Sequence, residues 1–213
     1  MNIIPYRNCL ELNMNTLKNK IVSRIYGKGR GWCFTRSDFL DIASPEAIDV
    51  TLHRLNGDGM IARALRGVYC YPKFNKLLNI FLSPDIDQVA QAIAGKFKWE
   101  IQPTGDTALN ILGLSNQVQG KFVYLSTGPS KKYKIGNTDL IFKRTALKNS
   151  GFRHRKSSIV FQALKALGEE NVSPDTIDSV RDFLTGDEQR KVLKDTEKTT
   201  AWVYEIIKKI CKD

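Results

Sequence analysis

Histidine is scarce in this chain: His53 and His154 are the only two in 213 residues, and neither stands at ligand spacing from a cysteine, another histidine or a carboxylate. That excludes the usual zinc sites. The four cysteines, Cys9, Cys33, Cys70 and Cys211, show no metal spacing and no obvious pairing, which suits a reducing cytoplasm. No apolar run reaches the length of a membrane span or a secretion leader, so no membrane partner is expected. Internal repeats, heptads and low-complexity tracts are missing too. So are the GxSxG elbow, the P-loop, the dinucleotide fingerprint and the kinase set. Gly27-Lys28-Gly29-Arg30-Gly31 has the glycines of a phosphate loop but neither the strand before it nor the helix phasing after it. Asp139 and Lys143 lie on a basic strand much as in a metal-dependent nuclease core, yet the place of the second acid is held by Ile141, so no metal pair forms. The chain reads as a non-enzyme that needs no cofactor.

Negative charge is the other shortage. Against 33 basic side chains there are 22 acidic ones, a net charge of +11. Residues 1–75 hold 11 basic and 6 acidic groups, residues 76–150 hold 10 and 5, and residues 151–213 hold 12 and 11. The excess therefore lies in the first two thirds. Leu12 to Ser37 contains no acid while presenting Lys18, Lys20, Arg24, Lys28, Arg30 and Arg36; from Lys121 to Lys156 only Asp139 interrupts a basic series. Both stretches are candidate phosphate surfaces. With 42% hydrophobic residues the chain has material for real cores, and its length suits two domains.

The first of these is expected over 1–75. Leu17, Ile21 and Ile25 repeat at helical spacing after a possible cap at Asn15, and Gly27 stops the run. Thr35 and Asp38 have capping-box spacing, and Phe34 can staple onto Phe39, so a second helix starts there. Ser44-Pro45 is a cap-then-proline start; Ile48, Leu52 and Leu55 share one face until Asn56-Gly57-Asp58-Gly59 ends this third helix. Met60–Leu65 and Val68–Tyr71 are strand-like around Arg66-Gly67. A helix followed by a basic hairpin outlines a winged helix-turn-helix, with duplex DNA as the partner.

On that reading the face of the third helix opposite its apolar side carries Glu46, Asp49, Val50, His53 and Arg54. The two acids suit the helix start but repel phosphate, which leaves base reading to His53 and Arg54, although His53 also fits an ordinary exposed histidine. Thr35, Arg36 and Ser37, opening the second helix, offer donors to phosphate. Lys28 and Arg30 add charge from the preceding loop. Arg63 and Arg66 on the wing can enter or grip the minor groove, and Arg63 fits equally a charged edge that guards against strand-to-strand aggregation.

Residues 76–213 form the second expected domain. Leu77, Leu78, Ile80, Phe81 and Leu82 suggest a connector that packs. A helix follows from Ser83-Pro84-Asp85 with Val89, Ile93 and Phe97 inward, then a strand at Trp99–Gln102 and a short helix over Thr104–Leu114. Phe122–Thr127, Lys131–Ile135 and Thr138–Arg144, in succession, suggest a small antiparallel sheet within a mixed α/β module over 76–150. Over 151–213, Ile159–Leu167, Ile177–Leu184 and Trp202–Ile210 have helical spacing and suggest a helical bundle. The Trp202, Ile206, Ile210 stripe fits a core, or a partner-binding face. The fold class is α+β.

Several strings then carry a family likeness. Ser23-Arg24-Ile25-Tyr26-Gly27-Lys28-Gly29-Arg30-Gly31-Trp32, Leu52-His53-Arg54-Leu55, Gly59-Met60-Ile61, Arg66-Gly67-Val68-Tyr69 and Tyr71-Pro72 resemble the opening of AbiEi-type (abortive infection) antitoxins. Gln102-Pro103-Thr104-Gly105, Asn110-Ile111-Leu112-Gly113-Leu114-Ser115, Val123-Tyr124-Leu125-Ser126-Thr127-Gly128-Pro129 and Ile135-Gly136-Asn137 are similar to the module that follows it there. The likeness spans about residues 15–145 and ends before Leu147. It implies a winged helix that binds its own promoter and represses a toxin-antitoxin operon, and a remainder that opposes a nucleotidyltransferase-like toxin. It assigns a toxin-binding surface to no residue.

Overall fold

The structure, a computed structural model, describes residues 6–115, 120–145 and 152–211, with side chains from Thr16 onward. Cys9 and Lys148 therefore lie outside the described side chains. The fold is mixed α+β, and the chain divides into two compact units, Met1–Lys98 and Trp99–Asp213. The division falls well past the 75/76 boundary drawn from sequence, because the helix that follows the hairpin packs back onto the strands of the first unit.

In the first unit α1 (Tyr6–Lys28) leads to β1 (Cys33–Phe34), a 3-10 turn (Arg36–Phe39), α2 (Pro45–Gly57) and the strands β2 (Ala62–Leu65) and β3 (Val68–Cys70). Asn15 lies inside α1 and does not cap it; no proline or glycine precedes it after Pro5, so the helix runs on through it. The second helix shrinks to the single 3-10 turn. Its capping box is nonetheless complete: Thr35 Oγ1 accepts from Ser37 N, and Asp38 accepts from Thr35 N at 2.8 Å. Phe34 meets Phe39 edge-on at 5.5 Å. Ser44 caps α2 by accepting from Ala47 N. Ile48, Leu52 and Leu55 of α2 bury against Ile21, Ile25, Phe34, Phe39 and Ile61, each contributing about 1.5–3 kcal/mol of apolar burial.

β3 lies between β1 and β2, antiparallel to both. Gly67, at φ +76°, makes the β2–β3 turn, a backbone state that glycine adopts without strain. The same register sets Cys33 opposite Cys70, and the two are joined in a disulfide; this corrects the expectation of unpaired cysteines and removes the support they lent to a reducing cytoplasm.

Past Pro72, β4 (Phe74–Asn75) and β5 (Ile80–Phe81) form a hairpin. The expectation of a packed connector fails here: Leu77 is 97% exposed, Phe81 60% and Leu78 63%. The cause is local, since Asn75 Oδ1 accepts from the amides of Leu77 and Leu78 and so fixes a turn that points both outward. α3 (Ile86–Phe97) is capped by Asp85 and buries Val89, Ala90 and Ile93 while leaving Phe97 exposed, where an inward side chain was expected.

The second unit opens with β6 (Ile101–Pro103), α4 (Gly105–Ile111), β7 (Lys121–Ser126), β8 (Lys131–Ile135) and β9 (Thr138–Arg144). The strand order is β6-β7-β9-β8, with β7 and β9 parallel. The expected all-antiparallel sheet is therefore corrected to a mixed one. Burial explains the order: Leu140 and Phe142 of β9 are buried beside Tyr124 of β7, whereas β8, with Lys131, Lys132 and Lys134, suits an edge.

Four helices complete the unit: α5 (Arg155–Leu167), α6 (Pro174–Phe183), α7 (Gly186–Thr196) and α8 (Ala201–Ile210). Their shared core includes Ile159, Ala163, Leu164, Val180, Val192, Val203 and Ile207. Ile206 and Ile210 are buried and Trp202 packs against the same core, so the stripe faces inward. Gly105 allows α4 to press on α5, for a Cβ there would lie 2.4 Å from that of Ala166.

Candidate nucleic-acid interface

Of the basic groups proposed from sequence, the structure separates those already partnered from those left open. Arg24 grips Asp41 with both terminal nitrogens at 2.6 Å and also donates to Asp38 O. Hydrogen bonding from that guanidinium holds the Asp41 carboxyl below the usual carboxylate range. Lys18 pairs with Asp58 at 3.0 Å, and Arg36 with Asp49 of α2 at 2.9 Å. The acid-free stretch thus finds its acids elsewhere in the fold. Arg24 in particular holds the 3-10 turn and the loop after it.

Arg30 is exposed, but its guanidinium stacks 4.7 Å from the Tyr71 ring centroid and donates to Pro72 O. That fastens the loop after α1 to the end of the hairpin. Lys28, the last residue of α1, lies 6.0 Å from the Trp32 ring and is exposed. Thr35 is fully buried and its hydroxyl serves the cap, so it is no contact residue and belongs to the frame. Ser37 is exposed beside Arg36.

The open groups lie on α2 and on the hairpin that follows it. His53 and Arg54 sit on the exposed side of α2, opposite the buried Leu52 and Leu55. Arg66 occupies the β2–β3 turn, with Arg63 three positions before it in β2. Arg63 donates weakly to Leu65 O at 3.4 Å. Among the described residues, the side chains of His53, Arg54 and Arg66 have no hydrogen-bond or ion-pair partner. Sequence reasoning missed Lys96: from α3 its Nζ comes within 3.4 Å of where a Gly67 Cβ would stand, which adds a second cation to the hairpin turn. Only the packing of α3 onto the strands reveals this.

Among the described residues no three His, Cys, Asp or Glu are placed to hold a metal ion. Among the same residues no helix is long and apolar enough to cross a membrane. What the surface can do chemically is present exposed cations on two successive elements.

A family of unknown function, DUF6088, matches residues 20–192, and the chain belongs to it. Among curated proteins none matches the chain.

Proposed function

We propose that this member of the DUF6088 family is a DNA-binding antitoxin that represses its own toxin-antitoxin operon and counteracts a nucleotidyltransferase-like toxin. On this reading unit one is a winged helix, with α2 as the recognition helix and β2–β3 as the wing, and the helices of the second unit form a C-terminal bundle. The observation that carries it is the contrast at the surface: Arg54 and Arg66 are exposed without a protein partner among the described residues, while Lys18, Arg24 and Arg36 are held by acids. Cations left free on a helix and the following hairpin suit major-groove and minor-groove contact respectively. The motif likeness to AbiEi-type antitoxins supports the operon and toxin parts, and no catalysis by this chain is required.

The test is a mobility-shift titration with the DNA upstream of its own gene. Arg54→Ala and Arg66→Ala should each weaken binding by about 1–3 kcal/mol. Wild-type affinity equal to that for random duplex, with a shallow salt slope, defeats the proposal. The toxin half is tested by growth rescue: coexpression should relieve the toxicity of a nucleotidyltransferase encoded beside the gene. A second reading, a module that binds protein or RNA, is favoured by the exposed Leu77, Leu78 and Phe81 of the β4–β5 hairpin. It predicts that the two arginine substitutions leave a partner complex untouched.

A further inference from the structure

The sheet of the second unit carries a charge arrangement that this function leaves unused. Side chains alternate along a strand, so Asp139, Ile141 and Lys143 of β9 share one face. Register places Lys134 of β8 and Lys121 of β7 on either side of Asp139, and Lys132 beside Ile141. All four lysines are exposed. Lys132 Nζ lies 2.7 Å from Asp139 Oδ2. That hydrogen bond, aided by the charges of Lys132, Lys134 and Lys121, keeps the carboxyl below its ordinary range.

One carboxylate against four ammonium groups leaves three charges unneutralised. Among the described residues the side chains of Lys121, Lys134 and Lys143 make no hydrogen bond or ion pair. With strands about 4.8 Å apart and about 3.3 Å of rise per residue, the lysines span a patch of about 10 by 13 Å. Between them lie the half-buried Val123, Leu125 and Ile141. We propose that this sheet face is a second phosphate-contacting surface that lies against the backbone of duplex DNA.

Two observations select that occupant. Single strands are held by bases stacked on aromatic rings, but the aromatic residues of these strands, Phe122, Tyr124, Tyr133 and Phe142, alternate to the opposite face. Protein interfaces are depleted in lysine and centre on aromatic or arginine anchors, and this face has lysines and no anchor. The inference shares with the proposed function the premise that duplex DNA is a partner, but it uses none of that function's residues.

The test titrates the full chain with an arbitrary duplex of roughly 25 base pairs between about 50 and 200 mM salt. The triple variant Lys121→Gln, Lys134→Gln, Lys143→Gln keeps Lys132, and so keeps Asp139 paired. Its plot of log affinity against log salt should be shallower by about 2–3, with affinity at intermediate salt down about 10–100-fold. A helical triple, Lys191→Gln, Lys194→Gln, Lys198→Gln, makes the same change in net charge and should leave the slope within about 0.5 of wild type. A sheet variant with the wild-type slope, or equal losses in both triples, overturns the proposal. So does retention on polyglutamate that depends on the three lysines while duplex affinity does not. If the sheet triple loses slope while operator preference is absent, this surface stands and the promoter reading falls; the converse result separates them the other way. A wild-type chain that binds no duplex overturns both. Melting of both triples should match wild type within a few degrees, since all six positions are exposed.

Discussion

Replacing Glu188 by glutamine removes one charge while keeping a side-chain acceptor of nearly the same shape, which makes it a clean probe of the second unit. Glu188 Oε2 closes the capping box of α7, accepting from Thr185 N at 2.8 Å and from Thr185 Oγ1 at 3.0 Å. It also receives Lys156 Nζ of α5 at 2.7 Å, and the same ammonium donates to Phe183 O and lies 4.3 Å from the Phe183 ring centroid. Three helices therefore meet at one ion pair. The Lys156 hydrogen bond first, and the Thr185 amide next, pull the carboxyl from its ordinary 4.5 down to about 2. Taken at face value, that linkage is about 3 kcal/mol. The two side chains are 28% and 32% exposed, so solvent screening leaves about 1–2 kcal/mol. A depressed carboxylate stabilises above its unfolded value, and the contribution is lost as pH falls from 4.5 toward 2. Denaturant melts of wild type and Glu188→Gln should therefore differ by about 1–2 kcal/mol at neutral pH, with the gap closing across that window. Other carboxylates cancel in the difference. A gap that stays constant with pH, or no gap at neutrality, would show that this contact does not depress the Glu188 carboxyl.

Other perturbations read different parts of the fold. Leu52→Ala opens a cavity in a fully buried site among Ile48, Phe39 and Ile25 and should cost about 2–5 kcal/mol in denaturant unfolding; a loss below about 1 kcal/mol would mean the core is not packed as described. Gly128→Ala puts a methyl 2.3 Å from the Trp99 ring, and a rigid indole cannot yield, so thermal melts should show about 1–3 kcal/mol of overpacking. Cys33 and Cys70 should resist alkylation in denaturant until a reductant is added, read by peptide mass; labelling without reductant would contradict the disulfide.

The parts of the fold that were legible in sequence are those written locally. Ser44-Pro45, the Thr35 and Asp38 box and the Arg66-Gly67 turn each state their geometry within a few residues, and the structure places them accordingly. What stayed hidden depends on distant partners. The parallel pairing of β7 with β9 follows from which strand is apolar enough to sit centrally, and Cys33 meets Cys70 only through the register of two short strands. α7 had a readable start in Thr185 and Glu188, but its apolar side is little more than Val192 and Leu193, too narrow to announce a helix. Leu77 and Leu78 misled for the opposite reason: apolar residues usually mean burial, and here an asparagine turn overrides that tendency.

The candidate site was legible as a list of cations and illegible as a pattern of which were free. Acids far away in sequence decide that, as Asp58 does for Lys18 and Asp49 for Arg36. Lys96 joined the list only when α3 packed beside the hairpin turn.

The most direct test of the central claim is the affinity of the full chain for the duplex upstream of its own gene, measured against a shuffled duplex at the same salt, with Arg54→Ala and Arg66→Ala in parallel. Promoter recognition predicts a preference for the upstream sequence of about 4 kcal/mol or more. It also predicts that Arg54→Ala erodes that preference, while Arg66→Ala lowers binding through the hairpin. Equal affinity for both duplexes, unchanged by either substitution, would contradict it.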